Sequence, residues 1–467
     1  MIFALLSLIA AHGMTCPEAS EEQCLAILIQ EFRGARYLDA AQGFGELLDT
    51  EQAPTQRTKI AYYQAKSLYA LEMYQSAAHY FEEVVLVGPK DPYFKYALPH
   101  LVDIARWSGN NHDLTGLARK IPPEAYPRRA KNHLYYVQAR EILDQGRLDD
   151  AAHYLGQISA KSELYVHTQY LTGVIHLQRG KIRSARDSFR AALVAAPAPT
   201  SANQLARTNA TLDLAEIAIA RLYYALTRYE QASWIYEQIP PTSTQGSSAR
   251  LEGAWALFML HDDAGALKAL DRIDEAVTSP KKRAKLLDKQ RAHEIVWPDF
   301  LPSTEILRAL VHVSRCEYAE AERILTAFEA EYESLPDVLH DRQLTDDQLF
   351  ERWLAPDASQ RGAIDARLLR SGKLRAFVDN IAMIDRERQR IGAQKQEWRD
   401  GVGADLLGHL TDDEARYRDV AVEILKEELV ELEAEVADLL KQAGTLRSEV
   451  AKMRGSGYEF ARQCGDH

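Results

Sequence analysis

The chain has 467 residues, more than one hydrophobic core ordinarily serves, so several domains or an array of repeats is expected. Its composition is that of a soluble globular protein, 46% hydrophobic and 27% charged. A formal net charge of -12 argues against general nucleic-acid binding, which needs a basic footprint, and says little about fold.

The first residues, MIFALLSLIAAHGMTCPEAS, are apolar from Ile2 to Ala11 and then turn polar. A run of about ten apolar residues is half a membrane span and suits the core of a signal peptide, with a cleavage point after Gly13. No Lys or Arg precedes the run, and GMTC before Cys16 lacks the Leu and small residues of a lipoprotein signal. Export by a signal peptide at 1–13 is expected, with lipidation and a buried first helix as the alternatives. No later window approaches 18 apolar residues, so no membrane span is expected in the mature chain.

Cys16 and Cys24 flank PEASEEQ, where Ser20 reads as a helix N-cap and Gln23 as the third helical residue. A disulfide between them would staple the segment 14–20 to the first helix. Zinc is the rival ligand, although no CxxC or paired His accompanies either cysteine.

The stretch GKIRSARDSFRAALVAAP, Gly180 to Pro197, puts small, aromatic and proline residues at positions that recur elsewhere. Aligned on Ala185 and Phe189, the other copies give Ala40 and Phe44, Ala77 and Phe81, Ala151 and Leu155, Ala232 and Tyr236, Ala266 and Leu270, and Ala321 and Leu325. A degenerate copy puts Leu114 in the place of the small residue. In chain order the steps are 37, 37, 37, 34, 47, 34 and 55 residues. On these residues the chain resembles the tetratricopeptide repeat (TPR) family, whose helix–turn–helix unit of about 34 residues stacks into a solenoid. Small residues let the two helices approach, and the aromatic fills the hole between successive units. An all-α, TPR-like α-solenoid of about eight helical pairs is expected over 21–335.

The long last step holds SPKKRAKLLDKQRAHEIVWPDFLPS, a basic insertion at 279–303. It reads as a solvated helix over the solenoid edge or as a docking surface for an acidic partner. A linker helix is expected over 336–356, a coiled-coil hairpin over 357–457 and a short tail over 458–467. The hairpin rests on heptads. Val422, Leu425, Leu429, Leu432, Val436, Leu439, Ala443, Leu446, Val450 and Met453 alternate at three and four residues, which is a coiled-coil seam. Leu374, Phe377, Ile381, Ile384, Arg388, Ile391, Lys395 and Trp398 follow the same alternation.

Between the two runs, Gly401 and Gly403 mark a turn and Thr411 reads as an N-cap with Glu414 three residues on. Residues 366–400 hold nine Lys/Arg and five Asp/Glu, whereas 411–440 hold eleven Asp/Glu and three Lys/Arg. Opposite charge favours an antiparallel hairpin within one chain over a parallel homodimer, so a monomer is expected, with a coiled-coil dimer as the alternative. A free hairpin of helices about 40 residues long would leave and return by roughly 60 Å. Its end would then lie beside the last repeat, where Cys464 and Cys316 could form a second disulfide.

Chemistry finds little support. GVG at 401–403 lacks the downstream glycine and lysine of a phosphate loop, no HExxH or GxSxG occurs, and no metal or cofactor is expected. The resemblance implies instead that first helices line a peptide-binding groove. Counted along them, it offers Tyr62, Lys66, Tyr69, Tyr136, Arg140, Tyr170, Arg221, Tyr224 and Trp255. Cations interleaved with tyrosines suit an acidic or C-terminal peptide, while the asparagines of the family's carboxylate clamp are absent. The bland alternative is that the tyrosines pack between helices and the cations pair with nearby acids.

The expected function is a non-enzymatic protein–protein interaction scaffold in the bacterial cell envelope or periplasm, binding partner peptides in the concave groove and partner helices through the coiled coil, within an assembly, secretion, motility or cell-wall machine. A cytosolic co-chaperone or regulator is the alternative, and a peptidoglycan-active solenoid enzyme a more distant one.

Overall fold

The computed structural model describes residues 20–49, 56–109, 111–195, 202–240, 243–278, 301–335, 339, 344–354, 364, 367–368 and 372–455. The expected signal peptide, Cys16, Cys464, the segment 14–19 and the basic insertion up to residue 300 lie outside them. So do both proposed disulfides, each of which needs one of those cysteines.

The described residues hold eight consecutive helical pairs. They are α1 (Glu21–Arg33) with α2 (Tyr37–Asp49), α3 (Arg57–Ala70) with α4 (Tyr74–Leu86), α5 (Phe94–Ser108) with α6 (His112–Lys120), and α7 (Lys131–Asp144) with α8 (Leu148–Gly156). Next come α9 (Tyr165–Gln178) with α10 (Ile182–Val194), α11 (Ala202–Ala225) with α12 (Tyr229–Gln238), α13 (Gly246–Met259) with α14 (Asp263–Thr278), and α15 (Ser303–Ser314) with α16 (Tyr318–Tyr332). The tail is α17 (Asp346–Leu354), α18 (Gly372–Gly392), α19 (Gln396–Asp400) and α20 (Val402–Gly455). The architecture is all-α and TPR-like. Ser20 caps α1 as its sequence suggests, in a capping box with Gln23.

One backbone feature fixes the register of every pair. The turn between its two helices holds a residue in the left-handed region: Ala35, Glu72, Gly109, Gly146, Gly180, Thr227, His261 and Cys316, with φ from 58° to 78°. Each lies five residues before the aligned small position, so the irregular steps of 34 to 55 residues are insertions between units and not slips within them. The aligned positions themselves, from Ala40 to Leu325, are all buried. Their packing is tight enough to exclude a methyl group. A Cβ on Gly173 of α9 would come within 2.4 Å of the Phe189 ring on α10. That glycine and that aromatic are the small and large halves of one knob-and-hole contact.

The chain divides into two compact units, one of 1–164 with 376–420 and the other of 165–375 with 421–467. In the first, the tail does not stand away from the repeats as a free hairpin. It lies on the second helices of the pairs. Glu387 accepts hydrogen bonds from the Gln75 and Ser76 amides of α4 at 2.5 and 3.0 Å. Arg390 reaches the carbonyls of Leu71 and Glu72 at the end of α3, and the Glu72 carboxylate at 2.5 Å. Trp398 donates to the Leu38 carbonyl of α2 at 3.3 Å, Val402 sits against Gly45, and the rings of His409 and His79 stack at 3.9 Å. Tyr417 donates to Asp113 of α6 at 2.7 Å, and Arg416 pairs with the same carboxylate.

In the second unit, Arg447 and Arg454 of α20 pair with Glu329 and Glu322 of the second helix α16. Lys426 pairs with Asp346 of α17 at 2.6 Å, and Arg367 with Glu435 at 2.7 Å.

The two arms run antiparallel: Arg388 of α18 pairs with Glu414 of α20, and the rings of Phe377 and Tyr417 meet at 6.1 Å. Three details of the sequence reading are corrected. The arms are unequal, 21 residues against 54. Thr411 is no N-cap. It lies inside α20, where its hydroxyl donates to the Leu407 carbonyl one turn back at 2.8 Å. The turn lies earlier, at Gly392–Lys395, with the short α19 before α20 begins at Val402.

The seam positions Val422, Leu425, Leu429, Leu432, Val436, Leu439 and Val450 are all buried, and Leu446 is partly so. A heptad stripe states that a face will be covered and leaves open by what. Here the chain covers it itself. No helix among the described residues is long and apolar enough to cross a membrane.

Candidate binding face

The tail's contacts in the first unit fall on second helices and on the turn before α4, so the first helices keep a face of their own. On α3, Tyr62, Lys66 and Tyr69 are spaced by four and three residues and share one side of the helix. The facing helix α5 adds Tyr96, His100 and Trp107 at spacings of four and seven, with Tyr93 just ahead of it. The rings form two clusters. Tyr62 contacts Tyr93 at 5.1 Å and Tyr96 at 6.4 Å. Tyr69 stacks on Trp107 at 5.7 Å, and Tyr74 meets the Trp107 edge at 4.6 Å. Tyr96 and Trp107 remain 52% and 42% exposed, unusual values for large aromatics in well-packed helices.

Lys66 lies between the clusters. Its Nζ sits 3.4 Å from His100 Nε2 and 5.9 Å from the centre of the Tyr69 ring. The lysine donates, so His100 accepts and is neutral; its Nδ1 is buried without a hydrogen-bond partner. Burial, then Lys66 and Arg129, push the His100 pKa down to about 4. Burial and the neighbouring Arg129 lower the pKa of Lys66 itself. No carboxylate pairs with Lys66 among the described residues. Arg129 is already held by Asp103 at 2.8 Å. Burial raises the Tyr62 phenol to about 12 and that of Tyr69 in the same direction, so both stay protonated and able to donate.

The other predicted groove residues divide. Arg140 of α7 is exposed and has no ion pair among the described residues, and Tyr136 beside it is partly buried, its phenol raised by burial. In the second unit the predicted residues have partners within the repeats. Arg221 forms a two-pronged pair with Glu252 at 2.6 and 2.8 Å, and that carboxylate also accepts from the Tyr236 hydroxyl. Tyr170 packs on Phe189 at 5.7 Å, Tyr224 on Tyr229 at 5.1 Å and Trp255 on Phe258 at 6.1 Å. These side chains are engaged with neighbouring residues of the repeats.

Tyr93, Tyr96, His100 and Trp107 were not among the residues singled out from sequence. Their own spacing carried the signal, but the degenerate third copy was aligned only through Leu114 on its second helix. A hollow of the first unit is lined by Gln75, Asp113, Asn380 and Tyr417 among others. Gln75 donates to Asn380 at 2.7 Å and Tyr417 to Asp113, so its walls are bonded to one another. No group of three or more His, Cys, Asp or Glu among the described residues is placed to hold a metal ion.

No protein-family model matches the chain, and no curated protein does. Among solved structures it is similar to a tetratricopeptide repeat protein from Parabacteroides merdae, at 14% identity and a TM-score of 0.33, over 59% of this chain and 93% of that one. It is also similar to the P58(IPK) TPR domain, at 12% identity and a TM-score of 0.20, over 84% and 98% of the two chains. A third likeness is to the Cut9–Hcn1 hetero-tetramer of the APC/C, at 12% identity and a TM-score of 0.26, over 91% and 83%. Likenesses of this degree carry nothing about what this chain binds.

Proposed function

We propose that the protein is a non-enzymatic interaction scaffold, exported to the periplasm or cell envelope, that presents the first-helix face of its N-terminal repeats to peptide segments of partners in a multiprotein complex. The observation that carries this reading is the division of labour between the two sides of the repeats. The tail occupies second helices, while α3 and α5 expose two aromatic clusters around a cation that no carboxylate pairs with among the described residues. The apolar seam of α20 is covered by the chain, so partner helices are not assigned to it. The export part rests on the apolar start of the chain and on the pairing expected for its cysteines.

The test is a pull-down from the native organism with the intact protein, a Lys66→Glu, Arg140→Glu double variant, and Arg221→Glu as a control engaged with Glu252. Loss of particular partners from the double variant alone, with the circular dichroism unchanged, supports the groove; partners retained by all three proteins would remove it. Thiol mapping tests location: an exported protein should show no free cysteine, a cytosolic one four.

A further inference from the structure

Lys66 is a half-buried cation whose neighbours are an arginine, a neutral imidazole and aromatic rings. Taking charge partly out of water with no carboxylate paired to it among the described residues leaves the site short of one negative charge. The shortage is of one charge only. Arg129 is already neutralised by Asp103, and a chain of net charge -12 disfavours a ligand carrying many negative groups. A single carboxylate fits, and its pairing would be stronger here than at an exposed lysine because the surroundings are less polarisable than water.

Position along α3 adds a second constraint. Tyr62 and Tyr69 lie on either side of Lys66, seven residues apart, which is about 10 Å along the helix. An extended or polyproline chain rises about 3.1–3.4 Å per residue, so that distance is three residues of ligand. A carboxylate at a chain terminus would leave one aromatic cluster empty, since the peptide would depart to one side only.

We propose that this face reads an internal acidic residue: an extended segment whose Asp or Glu meets Lys66 while two apolar side chains three residues apart, proline or aromatic, settle on the Tyr62–Tyr96 and Tyr69–Trp107 clusters. This rests on the first-helix face being a peptide site and names what that site selects. The aromatic surfaces supply the anchors, and Lys66 sets register and charge.

The experiment is selection from random twelve-residue libraries against the full-length protein, one library with both peptide ends fused and one with free C-terminal carboxylates. The fused library should enrich Asp or Glu flanked by two apolar residues three apart. Against Lys66→Glu the central residue should change to Lys or Arg with the anchors kept, and against Lys66→Gln it should lose its preference. An amidated wild-type winner should bind wild-type protein at least tenfold more tightly than Lys66→Glu by fluorescence polarisation.

Enrichment from the free-carboxylate library alone would overturn the internal reading and leave the groove standing. Winners that keep their acid against Lys66→Glu would place the site elsewhere. If neither library enriches anything, the face reads no short peptide and the proposal falls, even if the pull-down shows that partners depend on Lys66.

Discussion

Glu387 and Ser76 share two hydrogen bonds across 311 residues of sequence: the Glu387 carboxylate accepts from the Ser76 amide at 3.0 Å and from its hydroxyl at 2.9 Å. Helix α4 needs this, because Met73 at its N-cap makes no side-chain cap and the first turn is left with open amides. Three residues on, Arg390 meets the carbonyls that end α3. One turn of α18 therefore places its acid on the positive end of one helix and its base on the negative end of another.

This contact gives α18 a pH signature. Glu387 is 2% exposed, and burial pushes its pKa up to about 7, only partly offset by the Gln75 and Ser76 bonds and by Arg390. Because the folded pKa lies above the unfolded one, its contribution is fully present below about pH 4.5 and is lost as the pH rises through about 7. Urea denaturation of wild type and Glu387→Gln between pH 5 and 8 should show wild type losing stability relative to the variant, by an amount on the order of 2–3 kcal/mol. Parallel curves for the two proteins would mean that the carboxylate is not buried as described. Removing the cap altogether in Glu387→Ala should cost about 1–3 kcal/mol at fixed pH.

Gly173→Ala tests the packing of the repeats. A methyl group 2.4 Å from the Phe189 ring must move the ring or part α9 from α10, at a cost of about 1–3 kcal/mol, read as a lower midpoint in thermal unfolding. Gly116→Ala, where nothing lies within 4 Å of the new methyl, is the matched control and should be neutral or slightly stabilising. Equal effects at the two sites would refute the tight contact.

Thr227→Gly should stabilise. Thr227 is exposed and carries a β-branched side chain at φ 58°, a conformation that costs such residues about 1 kcal/mol or more. Part of the gain is offset by the freer unfolded chain, so a net increase of about 0.5 kcal/mol is expected by denaturant melt. A loss of stability would show that the Thr227 side chain contributes more than its strained backbone takes away.

The parts of the fold legible in sequence are those fixed by local packing. Ala185 and Phe189 recur because most pairs bury a small residue against a large one, and that recurrence marks seven of the eight units, the third showing Leu114 in the small place. Gly180 announces its turn in the sequence, whereas Glu72, Thr227 and His261 occupy the same backbone state without announcing it. The docking of the tail was not legible, because Gln75, Asn380 and Glu387 are polar residues that become core only once they meet. Periodicity marks apolar faces and is silent about buried hydrogen bonds. Of the binding face, α3 was visible through Tyr62, Lys66 and Tyr69, whereas Arg221 looked equivalent in sequence and is engaged by Glu252.

An ordinary repeat array can fold as it emerges from the ribosome, each unit resting on the one before. Here each compact unit takes its last piece from the far end of the chain, and the 54 residues of α20 contribute to both. The second helices of the earliest repeats therefore wait through most of synthesis with their polar and apolar docking surfaces uncovered. A chain released short of Gly372 would keep all eight pairs and still lack α18 to α20, which cover both units. Such nascent chains are expected to need a holdase, or to be cleared by proteases, until the final residues arrive.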